Sequence, residues 1–233
     1  MVYDPTLLTP DRFINPKFIS TPKYRMKTLE LFSGTGSVGK IAELYGETVS
    51  VDITNKFGYE PTHLDSILTW DYKQYPPGYF DLIWASPPCA SFSQMLVISK
   101  TGDQIQQLMD TVGLPLLNKA LEIIDYFKPK HYCIENPDGG RMKNYMAEYP
   151  FVRVSYCQYG YDYRKNTRLW TNIDFEPKFC NCIGKHKNSI GMGRKTPSPN
   201  GKNPPKLNAV SKLAEKYSIP STLINDLFSA ITK

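Results

Sequence analysis

The run Met26-Lys27-Thr28-Leu29-Glu30-Leu31-Phe32 mixes apolar and polar positions as a strand does. It breaks at Ser33-Gly34-Thr35-Gly36-Ser37-Val38-Gly39, where glycine punctuates the chain. A helix is predicted over Ser37 to Tyr45 and a second strand over Thr48 to Ile53. Strand, glycine turn, helix and strand make a βαβ unit, the building block of a parallel sheet. A third pass covers Thr62 to Asp71. The apolar run Phe80-Asp81-Leu82-Ile83-Trp84-Ala85 then predicts a buried strand, followed at once by Ser86-Pro87-Pro88-Cys89. Leu116, Leu117, Ala120, Leu121 and Ile124 recur with helical period, predicting a helix from Leu114 to Phe127. His131 to Ile134 reads as a strand ending at Glu135-Asn136-Pro137, and Val152 to Tyr159 and Arg168 to Thr171 as further strands. Asn208 to Lys216 and Ser221 to Ile231 close the chain as helices, the second announced by Ile219-Pro220-Ser221. Gln94 to Gly113 is polar and poorly periodic, and reads as a flap with Gly102 and Gly113 as hinges. Residues 1–27 read as an irregular arm.

The alternation of strands and helices implies an α/β fold, a parallel sheet with helices on both faces. A length of 233 residues suits one sizeable domain and a small appendage. Hydrophobic content of 41% and mean hydropathy of −0.40 describe a soluble protein. No apolar run reaches the ~18 residues that a membrane span needs. The N-terminal stretch lacks the apolar core of a secretory signal. Five cysteines, an odd number in a chain of this length, do not form a secreted disulfide framework and point to a reducing interior. Charge changes the picture more. Between Glu176 and Lys216 stand nine Lys or Arg against two acids, an excess of seven where the whole chain carries +6. A positive excess concentrated in one Gly- and Pro-rich segment is the footprint of a polyanionic partner.

The chemistry gathers at predicted strand ends. Glycines in Phe32-Ser33-Gly34-Thr35-Gly36-Ser37 let the backbone approach a ligand, and Asp52, at the tip of the next strand, is placed to bind ribose hydroxyls. Two prolines present the Cys89 thiol on a stiff loop. A thiolate of lowered pKa would attack an electron-poor ring carbon, pushing charge onto the ring nitrogen and exocyclic oxygen. Glu135 offers a shared proton for the nitrogen, and Arg168 a cation for the oxygen.

These motifs, in this order, resemble the DNA (cytosine-5) methyltransferases. Leu31-Phe32-Ser33-Gly34-Thr35-Gly36 resembles the cofactor glycine motif, Asp52 the ribose acid and Asp65 the acid near the adenine. Ser86-Pro87-Pro88-Cys89 with Ser91-Phe92-Ser93 resembles the nucleophile motif, Glu135-Asn136-Pro137 the Glu-Asn-Val element and Asn166-Thr167-Arg168 the Arg-x-Arg element. The resemblance spans residues 28–171 and 217–231. It implies a Rossmann-like S-adenosyl-L-methionine-dependent methyltransferase sheet over 28–171 and 211–233, with a reduced basic recognition region at 172–210. It implies a cofactor site of Phe32, Ser33, Gly34, Thr35, Gly36, Ser37, Asp52, Ile53, Asp65 and Pro87. The catalytic residues it implies are Cys89, which attacks C6 of a flipped-out cytosine in double-stranded DNA, Glu135 at N3 and the amino group, and Arg168 at O2.

Two departures stand out. Ala90 replaces the family's glutamine after the cysteine, and Asn166 replaces the first arginine, with Arg164 or Lys165 as compensating cations. A compact member, phage or viral, monomeric, and acting in the cytoplasm or beside host DNA, is expected. Its role in restriction-modification is left open. The rival readings are a tRNA cytosine-5 methyltransferase, a C5 alkyltransferase with a modified cofactor, and a non-catalytic DNA-binding relative. Cys180, Cys182 and His186 are a candidate zinc set, to which Cys157 could add.

Overall fold

The computed structural model describes residues 25–180 and 209–233, together with a two-residue strand at Asn188–Ser189; side chains in the last helix pair are described from residue 213. In chain order the elements are β1 (Met26–Leu31), α1 (Gly39–Ala42), β2 (Gly46–Asp52), β3 (His63–Leu64), β4 (Leu82–Ala85), α2 (Gly102–Leu108), α3 (Leu114–Phe127) and β5 (His131–Pro137). Then come β6 (Phe151–Ser155), β7 (Tyr163–Arg164), β8 (Asn166–Thr171), β9 (Asn188–Ser189), α4 (Ala209–Tyr217) and α5 (Ser221–Ile231). Seven strands form one sheet in the order β3-β2-β1-β4-β5-β8-β6. β1 to β5 run parallel, and β8 is antiparallel to both β5 and β6.

Period-two burial puts alternate residues of each strand into two different cores. Leu29, Leu31, Val51, Ile83, Ile134 and Trp170 face one side, against Leu117, Ala120, Ile123 and Phe127 of α3. Leu82, Trp84, Cys133 and Leu169 face the other, against Ala42 of α1 and Leu223, Ile224, Leu227 and Phe228 of α5. The result is the expected three-layer Rossmann-like α/β arrangement. Strand order reverses between β1 and β4, and a ligand crevice opens at such a switch point, beyond the carboxyl ends of the strands.

Several expected elements differ in extent. The helix after the glycine turn shrinks to Gly39–Ala42, flanked by turns, and the third pass contributes only His63–Leu64 to the sheet. The larger correction is the segment Gln94–Gly113, which is helical almost throughout. A 3₁₀ turn covers Gln94–Ile98, and α2 follows with a complete capping box in which Thr101 and Gln104 satisfy each other's backbone amides. A π turn at Met109–Gly113 joins α2 to α3. Gly113 is a contact point, not a hinge: a Cβ there would lie 2.7 Å from Ser91 Oγ and 2.9 Å from the Phe92 ring. The polar residues that masked this periodicity are the solvent face of the helix. Among the described residues no helix is long and apolar enough to cross a membrane.

Candidate active site

The turn after β1 is forced into a tight coil. Phe32, Gly34 and Gly36 all take positive φ, at 60°, 53° and 65°. For Phe32 this left-handed geometry is strained, and such strain concentrates at ligand sites. Gly36 has no room for a side chain, since a Cβ would fall 2.3 Å from the Tyr59 ring. Asp52 braces the turn from β2: its carboxylate accepts hydrogen bonds from Gly34 N at 2.8 Å and Thr54 N at 2.9 Å. Beneath the turn, Glu30 is buried and accepts from Val38 N (3.2 Å) and Gly39 N (2.9 Å). Burial pushes its pKa up to about 8, against the pull of those two amides.

The cysteine loop stands beside this turn. Pro88 starts a 3₁₀ turn, Cys89–Phe92, and Phe92 plugs it into the core. Asn136, at the end of β5, donates from Nδ2 to the Pro87 carbonyl at 2.8 Å, which ties the loop to the next strand. Arg141 donates to the Ser93 carbonyl from the far side. Burial raises the Cys89 thiol pKa above its ordinary value, the Glu135 charge raises it further, and Lys165 and a backbone hydrogen bond oppose them. The shift is thus upward where the sequence pointed to a lowered thiol pKa.

One cleft of about 380 Å³ joins these parts. Its wall includes Phe32, Ser33, Gly34, Thr35 and Ser37 from the glycine turn, Pro87 and Cys89 from the cysteine loop, and Glu135 from β5. Arg164, Lys165 and Asn166, together with Leu213, Lys216 and Tyr217 of α4, complete its lining. Glu135 is buried and accepts from Tyr156 Oη at 3.1 Å, and Lys165 Nζ lies 3.7 Å from its Oε1. Ser33 Oγ is buried in this wall with no hydrogen-bond partner. An orphaned hydroxyl beside a strained, glycine-rich turn fits a bound polar cofactor.

The remaining expected residues lie elsewhere. Asp52 acts on the turn rather than in the cleft wall. Ile53 is 74% exposed, and Asp65 is exposed and accepts from Ser66 N and Thr69 Oγ1. Arg168 is the main correction. In the β5–β8 register Leu169 stands opposite Glu135, whereas Arg168 stands opposite Asn136 and so projects from the other face of the sheet. There Arg168 and its neighbour on β6, Arg153, both clamp Asp138, and the Arg168 guanidinium stacks 3.9 Å from the Phe151 ring centroid. Lys165 is instead a cation that reaches Glu135.

Sequence reasoning passed over Glu30 and Tyr156. Glu30 carried a signal, an acid inside an otherwise buried strand two residues before the glycine turn. Tyr156 carried none, because only the sheet brings it to Glu135. Among the described residues no group of three or more His, Cys, Asp or Glu is placed to hold a metal. Cys180 is buried with its thiol hydrogen-bonded to that of Cys157, while Cys182 and His186 lie outside the described residues.

No family model matches the chain. It is 44% identical over 165 residues to a protein named "Probable DNA (cytosine-5)-methyltransferase" from Frog virus 3 (isolate Goorha), covering 66% of this chain and 75% of that one. Among solved structures it is similar to the Entamoeba histolytica methyltransferase EhMeth, with a TM-score of 0.45 and 15% identity over 69% of this chain. The chain spans 58% of that protein's length.

Proposed function

Because the chain belongs to the DNA (cytosine-5)-methyltransferase family, we propose that its cleft transfers a methyl group from S-adenosylmethionine to C5 of cytosine in DNA. The observation that carries this reading is the single cleft that gathers the glycine turn, Cys89 and Glu135. S-adenosylmethionine, when bound, supplies an electrophilic methyl group. Phe32, Ser33, Gly34, Thr35 and Ser37 would hold it, with Tyr217 of α4 across the cleft.

A cytosine turned out of the duplex enters beside Cys89. The sulfur bonds to C6 as the thiol loses its proton, and the C5–C6 π electrons become available at C5. Glu135, its carboxyl oriented by Tyr156, meets N3 and the exocyclic amino group, so charge that develops on the ring is shared with a fixed acid. C5 then takes the methyl group. Loss of the C5 proton to a base restores the double bond as the C6–S bond breaks and Cys89 leaves with its electron pair. In this reading residues 28–171 and 211–233 form the catalytic domain. The basic stretch within 172–210 positions the duplex through its phosphates.

The test is incubation with methyl-labelled S-adenosylmethionine and either duplex DNA or tRNA, followed by digestion to nucleosides. Label in 5-methyldeoxycytidine is the expected product. Label confined to tRNA, or on the exocyclic amino group, would overturn the proposal.

A further inference from the structure

Lys165 is largely enclosed by groups that belong to different parts of the site. Its ammonium, with the side chain 14% exposed, lies 3.7 Å from Glu135 Oε1 and 4.6 Å over the Tyr156 ring, and donates to the Lys216 carbonyl at 3.3 Å. An ammonium has three N–H donors. One is given to the Lys216 carbonyl, and the Glu135 carboxylate attracts the ammonium as an ion pair at 3.7 Å without a hydrogen bond, which leaves donors for a ligand in the cleft that Lys165 itself lines.

The Lys216 carbonyl matters because of where α4 sits. Leu213, Lys216 and Tyr217 roof the cleft on the side of the glycine turn, and Tyr217 stacks on Phe57 with centroids 5.3 Å apart. Beside that ring pair, polar contacts among the described residues hold this helix end. Tyr163 Oη donates to the Glu215 carbonyl, Tyr161 Oη meets Ser218 Oγ, and Ile219 N donates to Ser37 Oγ. Leu213 and Tyr217 themselves remain about half exposed. Carbonyls at a helix C-terminus favour a cation, and Lys165 supplies one.

We infer that Lys165 holds the carbonyl oxygen of the target cytosine and, through the Lys216 carbonyl, latches α4 over the cofactor side of the cleft. This rests on the proposed methyl transfer to cytosine. It assigns the oxygen-holding role to a residue whose ammonium also touches the roof, which an arginine on β8 does not do. One side chain thereby links the two ligands: the roof closes on the cofactor through the same group that steadies the base.

The test uses the full chain with Lys165→Met, Lys165→Arg and Arg168→Met. Removing one preorganised donor from a site of developing charge costs about 10²- to 10³-fold in kcat. Lys165→Met is expected to lose that much, with the KM for duplex DNA little changed. Lys165→Arg, which keeps the charge, recovers at least tenfold of the loss. In titration calorimetry without DNA, Lys165→Met weakens S-adenosylmethionine binding about tenfold, as expected for loss of a charged hydrogen bond. Arg168→Met leaves cofactor affinity at the wild-type value. Wild-type kcat or wild-type cofactor affinity in Lys165→Met overturns the inference. If the wild-type protein makes no 5-methylcytosine, it is the underlying reading that fails.

Discussion

Two titrating side chains give the site its pH behaviour. The Cys89 thiol pKa sits above its ordinary value through burial and the Glu135 charge, so iodoacetamide should modify it more slowly at neutral pH than it modifies an exposed thiol. Glu135→Gln removes the opposing charge and should shift that alkylation profile to lower pH. Lys165→Met should shift it higher. Mass-spectrometric rates for the peptide containing Cys89 measure both, and a profile unmoved by either change would contradict the electrostatic account. Glu30 acts on stability instead. Its folded pKa of about 8 lies above the ordinary value of 4.5, so between those limits the folded state binds more protons than the unfolded one. Stability therefore falls as pH rises through that window. Thermal midpoints measured from pH 5 to 8 should decline by a few degrees more for wild type than for Glu30→Gln, in which nothing titrates at this position. That Cys89 and Glu135 stand at strand ends in one cleft was legible in the sequence, since proline pairs and strand ends announce themselves. That Lys165 and not Arg168 lines it with them was not. Adjacent residues in and near a strand project to opposite faces, and the one-dimensional motif centred on Arg168 does not say which face holds the cleft.

At the scale of elements, the cysteine loop is held by its neighbours rather than by its own hydrogen bonds. Asn136→Ala removes the bond to the Pro87 carbonyl and should lower kcat about tenfold through lost positioning, with the thermal midpoint changed by only a few degrees. Single-turnover kinetics beside a melting curve separates these effects. Gly113→Ala should do the reverse. A Cβ forced against Ser91 and Phe92 costs about 1–3 kcal/mol, read as a lowered denaturation midpoint. This contact also explains why the segment Gln94–Gly113 misled the sequence reading. Gly102 follows the Thr101 cap and Gly113 meets the cysteine loop, so both glycines serve helix packing where composition suggested hinges. Regular helices with a clear apolar stripe, α3 and α5, were legible. The short ones, capped by side chains and packed on one or two residues, were not.

Across the whole molecule, the order of strands explains why residues 30, 89, 135 and 165 share one cleft. β1 and β4 are neighbours although they are far apart in sequence, and β5 and β8 extend the same edge. Parallel pairing was legible from the βαβ pattern. The antiparallel return of β8 between β5 and β6, which sets the direction of Arg168, was not, because no local turn signal encodes it. Charge distribution is also a whole-molecule property. With its positive excess in one segment, the protein should bind duplex DNA with an affinity that falls steeply between 50 and 200 mM salt, by about tenfold or more. The central claim is that Cys89 bonds to the cytosine ring. Duplex DNA carrying 5-fluorocytosine blocks release after methyl transfer, since no C5 proton can leave. Incubation with S-adenosylmethionine should therefore trap a protein–DNA adduct that survives denaturing electrophoresis and is absent in Cys89→Ala. An adduct that persists in Cys89→Ala, or no adduct from an active wild-type protein, would contradict the account.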